Sequence, residues 1–322
     1  MATLSANRRL VSRLGAHPLA LPVGTIVALL VLAGVTAPNF VQPSNLWSLM
    51  SIASILALAA FGQTIVIVSG SQGIDLSVGP VMTLATILVS SISASADANL
   101  VQAVLVVIVV CAIIGTINFI GVFYIGIYPL IMTLGMAFVT AGVVVLYAQA
   151  RGSALPSPLM LQIGAGKVGP VPITVLIVGV LLVLLTVILR RSRFGRQLFL
   201  VGSNPRAAEL AGVPVARVTW LAYVAGSVLA GLAGILLFGY AGATNLSIGE
   251  PYTLLSIAAS VVGGTALSGG KGTLVGVALG AITFIVLTNL LVALGLSPAL
   301  RDVATGILLI AVLSVTARES GP

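Results

Sequence analysis

Few residues in this chain are equipped for chemistry. It has one cysteine, Cys111, and one histidine, His17. A lone thiol excludes an internal disulfide framework and a multi-thiolate metal site, and a lone imidazole excludes a histidine cluster. The acids are Asp75, Asp97, Glu209, Glu250, Asp302 and Glu319, and no two share an apolar segment. That leaves no carboxylate pair for acid–base catalysis and no relay of ionisable groups for proton transfer. The glycine-rich stretch around Gly269-Gly270-Lys271-Gly272 invites comparison with a phosphate-binding loop, which needs Gly, four residues, Gly-Lys and then Ser or Thr. Here Thr265 stands where the first glycine is required, and Gly272 follows Lys271. The stretch reads instead as a tight turn with Lys271 as a positive anchor. No catalytic residue, metal or cofactor is expected.

The elements that carry these residues are set by composition. Hydrophobic residues make up 59% of 322 and charged residues 6%, against roughly 25% charged in a soluble domain. Such a chain is an integral membrane protein, not a cytosolic enzyme or a secreted domain. Ten apolar segments are legible: 19–38, 47–69, 79–96, 100–122, 128–150, 171–190, 217–239, 252–268, 273–294 and 301–316. Breaker clusters such as Pro43-Ser44-Asn45 and Pro170-Val171-Pro172 separate them. The runs are continuous and about 20 long, which suits spanning helices; a membrane barrel shows alternating runs of about ten. The first run has no cleavage site of the signal-peptide type and reads as a retained helix. The expected architecture is all-α and polytopic, a single transmembrane domain over 1–322. It has tails at 1–18 and 317–322 and a long loop at 191–216.

Ten spans place both termini on one side. With the N-terminus cytoplasmic, 11 of the 14 basic residues lie inside, and only Arg151, Lys167 and Arg301 lie outside. That bias fits the positive-inside rule. The net charge of +8 is therefore topological, and no soluble basic domain exists to bind nucleic acid. Arg151, Lys167 and Arg301 are either ordinary surface charges or docking points for an external acidic partner.

The inside loop, 191–216, contains a short helix with both ends marked. Asn204 is a good N-cap and Pro205 suits the first helical position. Arg206, Ala207, Ala208, Glu209, Leu210 and Ala211 are helix formers, Gly212 suits the left-handed C′ position, and Pro214 prevents resumption. About seven residues span only about 10 Å, too short to cross a bilayer. Capping alone leaves two roles open: a solvated connector, or a helix that fits a groove on a cytoplasmic partner.

Three motifs give this chain a family likeness. Phe194-Gly195-Arg196 followed by Gly202-Ser203-Asn204-Pro205-Arg206-Ala207-Ala208-Glu209-Leu210-Ala211-Gly212-Val213-Pro214-Val215 resembles the coupling loop of ribose-type ABC importer permeases, in the branched-chain amino acid/ribose permease superfamily. Gly73-Ile74-Asp75-Leu76-Ser77-Val78-Gly79 and the run from Ile257-Ala258-Ala259 to Gly269-Gly270-Lys271-Gly272 agree, with a weaker match at Pro129-Leu130-Ile131-Met132-Thr133-Leu134-Gly135-Met136. The likeness covers about residues 40–316. Gln72 departs from a common glycine, and Thr253-Leu254-Leu255 replace a frequent Glu-Leu-Asp; these departures bear on ribose as the solute, not on the transporter class.

The resemblance implies a type II-like importer fold in the bacterial plasma (inner) membrane. It implies a second permease subunit, identical or not, two cytoplasmic ATP-binding cassette subunits seated on the coupling loop, and a periplasmic or extracellular solute-binding protein. Hydrolysis belongs to the partner ATPase. The cargo it implies is a monosaccharide or similar neutral solute; a nucleoside, riboflavin or autoinducer-like solute suits the same architecture.

Among the residues themselves, Asp75 suits the N-terminal end of the third span or a gating or partner-facing role. Gln63, Asn118, Thr133, Thr140 and Asn289 are polar groups within spans, either joining helices or lining a weakly polar pathway. Such a pathway fits a neutral solute better than an ion. The small-residue stripes Gly272-Gly276-Gly280 and Ser227-Gly231-Gly234 permit close helix packing, within the chain or between permeases. An ion-coupled secondary transporter and a membrane-embedded enzyme are the rival classes, and both lack the ionisable clusters they need.

Overall fold

A computed structural model describes residues 19–70, 73–297, 299–301, 303, 304, 306 and 307. The tails with Arg8, Arg9, Arg13, His17, Arg318 and Glu319, together with Gln72 and Asp302, lie outside the described residues. The described residues are mostly helical. Its elements are α1 (Ala20–Thr36), α2 (Pro43–Val68), α3 (Val78–Ser93), α4 (Leu100–Phe123), α5 (Pro129–Arg151) and α6 (Pro158–Ala165). A two-strand ribbon follows, β1 (Lys167–Val168) with β2 (Val171–Pro172). Then come α7 (Ile173–Arg191), α8 (Arg193–Ser203), α9 (Pro205–Leu210), α10 (Val215–Ala241), α11 (Glu250–Val262) and α12 (Leu274–Ala293). Prolines at the first turn open α2, α5, α6 and α9, where the missing N–H deprives the helix of nothing.

Among the described residues, six helices are long and apolar enough to cross a membrane: α2, α4, α5, α7, α10 and α12. The sequence predicts ten. Nine of its segments do coincide with helices, but α1, α3 and α11 have only 17, 16 and 13 residues. The tenth, 301–316, lies mostly outside the described residues. The shortfall at α3 and α11 has a physical cause: each starts partway along the bundle after a non-helical approach.

The core is built around α2, buried continuously from Ala53 to Val68. Against it pack α10, α11 and α12. Gly62 of α2 faces Gly226 of α10 with no room for a side chain between them. Thr64 Oγ1 donates to Ser260 Oγ of α11 at 2.9 Å. The small-residue stripes serve this packing: Gly276 and Gly280 of α12 press on Gly263 and Ala259, and Gly231 and Gly234 of α10 press on Cys111 and Met82. Cys111 is buried there as a packing residue. By contrast, α4 turns Val101, Leu105, Val109 and Ile113 outward, and α7 turns Val180, Val183 and Val187 outward. Such apolar faces suit lipid or a second membrane chain.

The first non-helical approach is residues 69–77. After α2 ends, the chain folds back beside it, so that Asp75 pairs with Gln63, about 7 Å up the helix from Val68 at 1.5 Å per residue. The second is residues 242–249. From the end of α10 it turns back along α3: Thr244 Oγ1 meets Thr86 Oγ1 at 2.5 Å, and Gly249 N donates to Thr83 Oγ1 at 3.0 Å. Gly79 N then donates to Thr253 Oγ1 at 3.1 Å. The starts of α3 and α11 thus meet within the bundle, and Thr253 satisfies a first-turn amide of α3 that has no partner in its own helix.

Candidate functional site

The stretch 191–216 is almost entirely helical. Sequence reading finds α9 but misses α8. Ser192 Oγ caps α8, accepting from Gly195 N at 3.0 Å. Gly195 lies so close to the Leu189 carbonyl that a Cβ would overlap it; this close approach turns the chain from α7 into α8. Arg196 Nη1 donates to Arg191 O at 2.9 Å, tying the same corner. Phe194, Leu198 and Val201, spaced i, i+4, i+7, turn inward, the pattern expected of an amphipathic helix lying against a bundle. That spacing, with Ser192 as a cap, was the available signal.

The marked ends of α9 form as expected. Asn204 Oδ1 accepts from Ala207 N at 3.0 Å. Gly212, at φ 78°, closes the helix: Gly212 N donates to Glu209 O at 2.9 Å and Val213 N to Ala208 O at 3.0 Å. This is the paired closure of a Schellman cap. Only Ala208 is buried; Ala207, Leu210 and Ala211 are exposed. Arg206 and Glu209 form an exposed ion pair at 3.0 Å. An exposed pair contributes little to folding, so the helix presents a mixed charged and apolar knob beyond the bundle. Replacing Asn204 with Ala should lower the stability of this cap by about 1 kcal/mol, read as faster amide exchange confined to 204–213.

Behind the knob, segments distant in sequence converge. Gly202 at the end of α8, Gly70 at the end of α2 and the turn with Gly269 and Gly270 pack backbone against backbone. Gly270 N donates to Val68 O at 3.1 Å, and the turn closes on itself through Ala266 N to Lys271 O at 3.0 Å. Lys271 is exposed and Gly272 half-buried. The loop motif at 194–215 and the turn at 269–272 therefore form one assembly with the end of α2.

The connector 73–77 is the second layer of that assembly. Asp75 is 1% exposed. Its Oδ1 accepts from Ser77 N at 2.8 Å and from Ser77 Oγ at 2.5 Å; its Oδ2 has no partner among the described residues. The carboxylate thus closes the turn that leads into α3 and does not cap that helix's own amides. Burial raises its pKa above the ordinary value, and the two Ser77 hydrogen bonds oppose that.

The polar residues expected within spans gather here. With its amide oriented to match its partners, Gln63 donates to Asp75 O at 3.0 Å and accepts from Asp75 N at 3.1 Å. Asn118 Nδ2 donates to Ser77 Oγ at 3.2 Å. Thr133 Oγ1 donates to Ile74 O at 3.0 Å and accepts from Leu76 N at 3.1 Å. The connector cannot satisfy its own backbone as a helix would, and these side chains do so instead. Thr140 is buried apart from them, and Asn289 Nδ2 donates to Ile285 O of its own helix at 2.9 Å. Arg151, the last residue of α5, and Lys167 of β1 are exposed, and Arg301 is half-buried and helical.

Residues 45–313 match the family described as branched-chain amino acid transport system / permease component. The chain is 34% identical to the ribose import permease protein RbsC of Bacillus subtilis, over 88% of each chain. It is 32% identical to RbsC of Escherichia coli, over 90% of this chain and 92% of that one. It is 31% identical to the galactose/methyl galactoside import permease protein MglC of Escherichia coli, over 89% and 91%. No solved structure matches significantly. With apolar helices in bundle order, a match across most of its length, and these relatives, the chain is an integral membrane permease belonging to the branched-chain amino acid transport system / permease component family.

Proposed function

We propose that this permease is the membrane subunit of a binding-protein-dependent ABC importer for a monosaccharide or a related small neutral solute. The observation that carries this reading is the exposed α9, mounted through α8 on the glycine assembly that joins the ends of α2 and α11. Relatives named for ribose and galactose import support a sugar. Two permeases, identical or not, pair around a pathway, and one ATPase subunit seats on each α9. The basic residues about 191–217 make that end cytoplasmic by the positive-inside rule. The termini then share that side, and the binding protein docks at the opposite end near Arg151, Lys167 and Arg301. The scarcity of charge suits a neutral solute.

The direct test is ATP hydrolysis in nanodiscs by the permease with its cognate ATPase and binding protein, across a panel of sugars and nucleosides. Stimulation by one sugar-loaded binding protein is expected. Stimulation by a nucleoside would replace the sugar; ATP-independent uptake would overturn the importer reading. For the loop, Glu209→Arg and a glycine inserted at Ala208 are each expected to lower ATP-driven uptake at least tenfold at unchanged membrane abundance. Normal coupling in both variants would remove α9 from this role.

A further inference from the structure

The approach to α11 places polar, exposed backbone where a membrane does not tolerate it. Its level is fixed by its neighbours. Ser260 Oγ donates to Ala60 O and accepts from Thr64 Oγ1. Glu250 lies ten residues earlier on the same helix, so its level is about 15 Å further along the bundle at 1.5 Å per residue. That is close to residue 52 of α2, about 13 Å from Pro43 and about 24 Å from Val68. The contacts of Gly249 with Thr83 and Gly79 place it well short of the end of α3, some 15–20 Å from Ser93. Glu250 thus falls well inside a hydrocarbon layer of about 30 Å.

At this level Asn245, Leu246, Ser247, Glu250 and Leu254 are exposed. Asn245 Oδ1 accepts from Ser247 N at 2.9 Å and holds the turn. No hydrogen bond or ion pair engages the Glu250 carboxylate among the described residues. Non-helical backbone at membrane depth persists only where protein covers it or where it lines water. An exposed carboxylate at that depth faces a bundle interior or a wet cavity, not lipid. The helices α4 and α7 carry no acidic residue.

We infer that residues 245–250 line the route of the solute, at the seam where a second permease completes it, with Asn245, Ser247 and Glu250 as its polar contacts. This rests on the importer reading and adds to it the solute-contacting segment. The amide and carboxylate present donors and acceptors for a polyhydroxylated neutral solute. Leu254, one turn after Glu250 on the same face of α11, offers an apolar surface for its C–H side. Gln63, Asn118 and Thr133 are not needed for that task, because they hold the connector.

The test is water access in the assembled importer, in nanodiscs. In a Cys111→Ala background, Asn245→Cys, Ser247→Cys and Glu250→Cys are each exposed to a charged, membrane-impermeant thiol reagent. Leu105→Cys and Val183→Cys, on the outward faces of α4 and α7, serve as controls. Labelling at least tenfold faster at 245, 247 and 250 than at the controls is expected. Glu250→Gln should lower uptake at least fivefold with the complex still assembled. Labelling as slow as the controls would show the segment facing lipid or sealed in a protein contact, and would overturn the inference. Wild-type uptake by Glu250→Gln would remove Glu250 from the route. Labelling needs no turnover, so failure of the importer reading shows separately, as absence of ATP-driven uptake by the wild-type complex.

Discussion

A single methyl group at position 202 is expected to uncouple the permease. Gly202→Ala should lower ATP-driven uptake at least tenfold, while Gly135→Ala leaves it near wild type. A Cβ on Gly202 would overlap the Val68 carbonyl and lie 2.6 Å from Gly270 N. Those two atoms belong to backbone that is already hydrogen-bonded to each other at 3.1 Å, so no side-chain rotation relieves the overlap. Either α8 lifts from the end of α2 or the Val68–Gly270 hydrogen bond breaks. Overpacking of this kind costs about 1–3 kcal/mol. The neighbours cannot yield readily, because Gly70 and Gly269 both hold φ of 90°, where a larger residue would be strained. A Cβ on Gly135 meets nothing within 4 Å, and alanine there should favour the helix slightly. The measurements are membrane abundance, ATPase association and uptake for both variants. Retention of wild-type coupling by Gly202→Ala would show that α9 does not act through this glycine contact.

The motifs were legible because local chemistry dictates them. Asn204, Pro205 and Gly212 mark a helix whatever surrounds it, and the caps form where the residues predict. The apolar runs were equally legible, since nine predicted segments coincide with helices. Less legible was where helices start relative to one another. A run of apolar residues looks alike whether it begins at the bundle's end or partway along it, so the short α3 and α11 read as full spans. The roles of Gln63, Asn118 and Thr133 were hidden for the same reason. Their partners lie on a connector 12 to 59 residues away, and no periodicity within one helix reports a contact between elements. Gly202 read as a motif position; its packing on Gly70 and Gly270 depends on three chain segments meeting.

Asp75 offers the sharpest separation of structure from charge. Asp75→Ala removes the acceptor for Ser77 N and Ser77 Oγ, both engaged at a buried site. Leaving such groups unpaired costs about 1–3 kcal/mol each, and the turn into α3 loses its fastening. The variant should lose most of its folded abundance in the membrane. Asp75→Asn keeps an acceptor at the same place, so its fold should survive. The two carboxyl forms also differ with pH. Burial raises the folded pKa above the ordinary value of 3.8, so the native state binds its proton more tightly than the unfolded chain. The resulting stabilisation is fully present below about pH 4 and is lost as pH rises through the folded value. Asp75→Asn has no proton to release and should flatten that decline, becoming the more stable protein at neutral pH in a detergent thermal melt. An unchanged pH slope in Asp75→Asn would show that the buried carboxyl does not set it. Equal loss of abundance in both variants would mean that the charge itself, and not the Ser77 hydrogen bonds, holds the connector against α2.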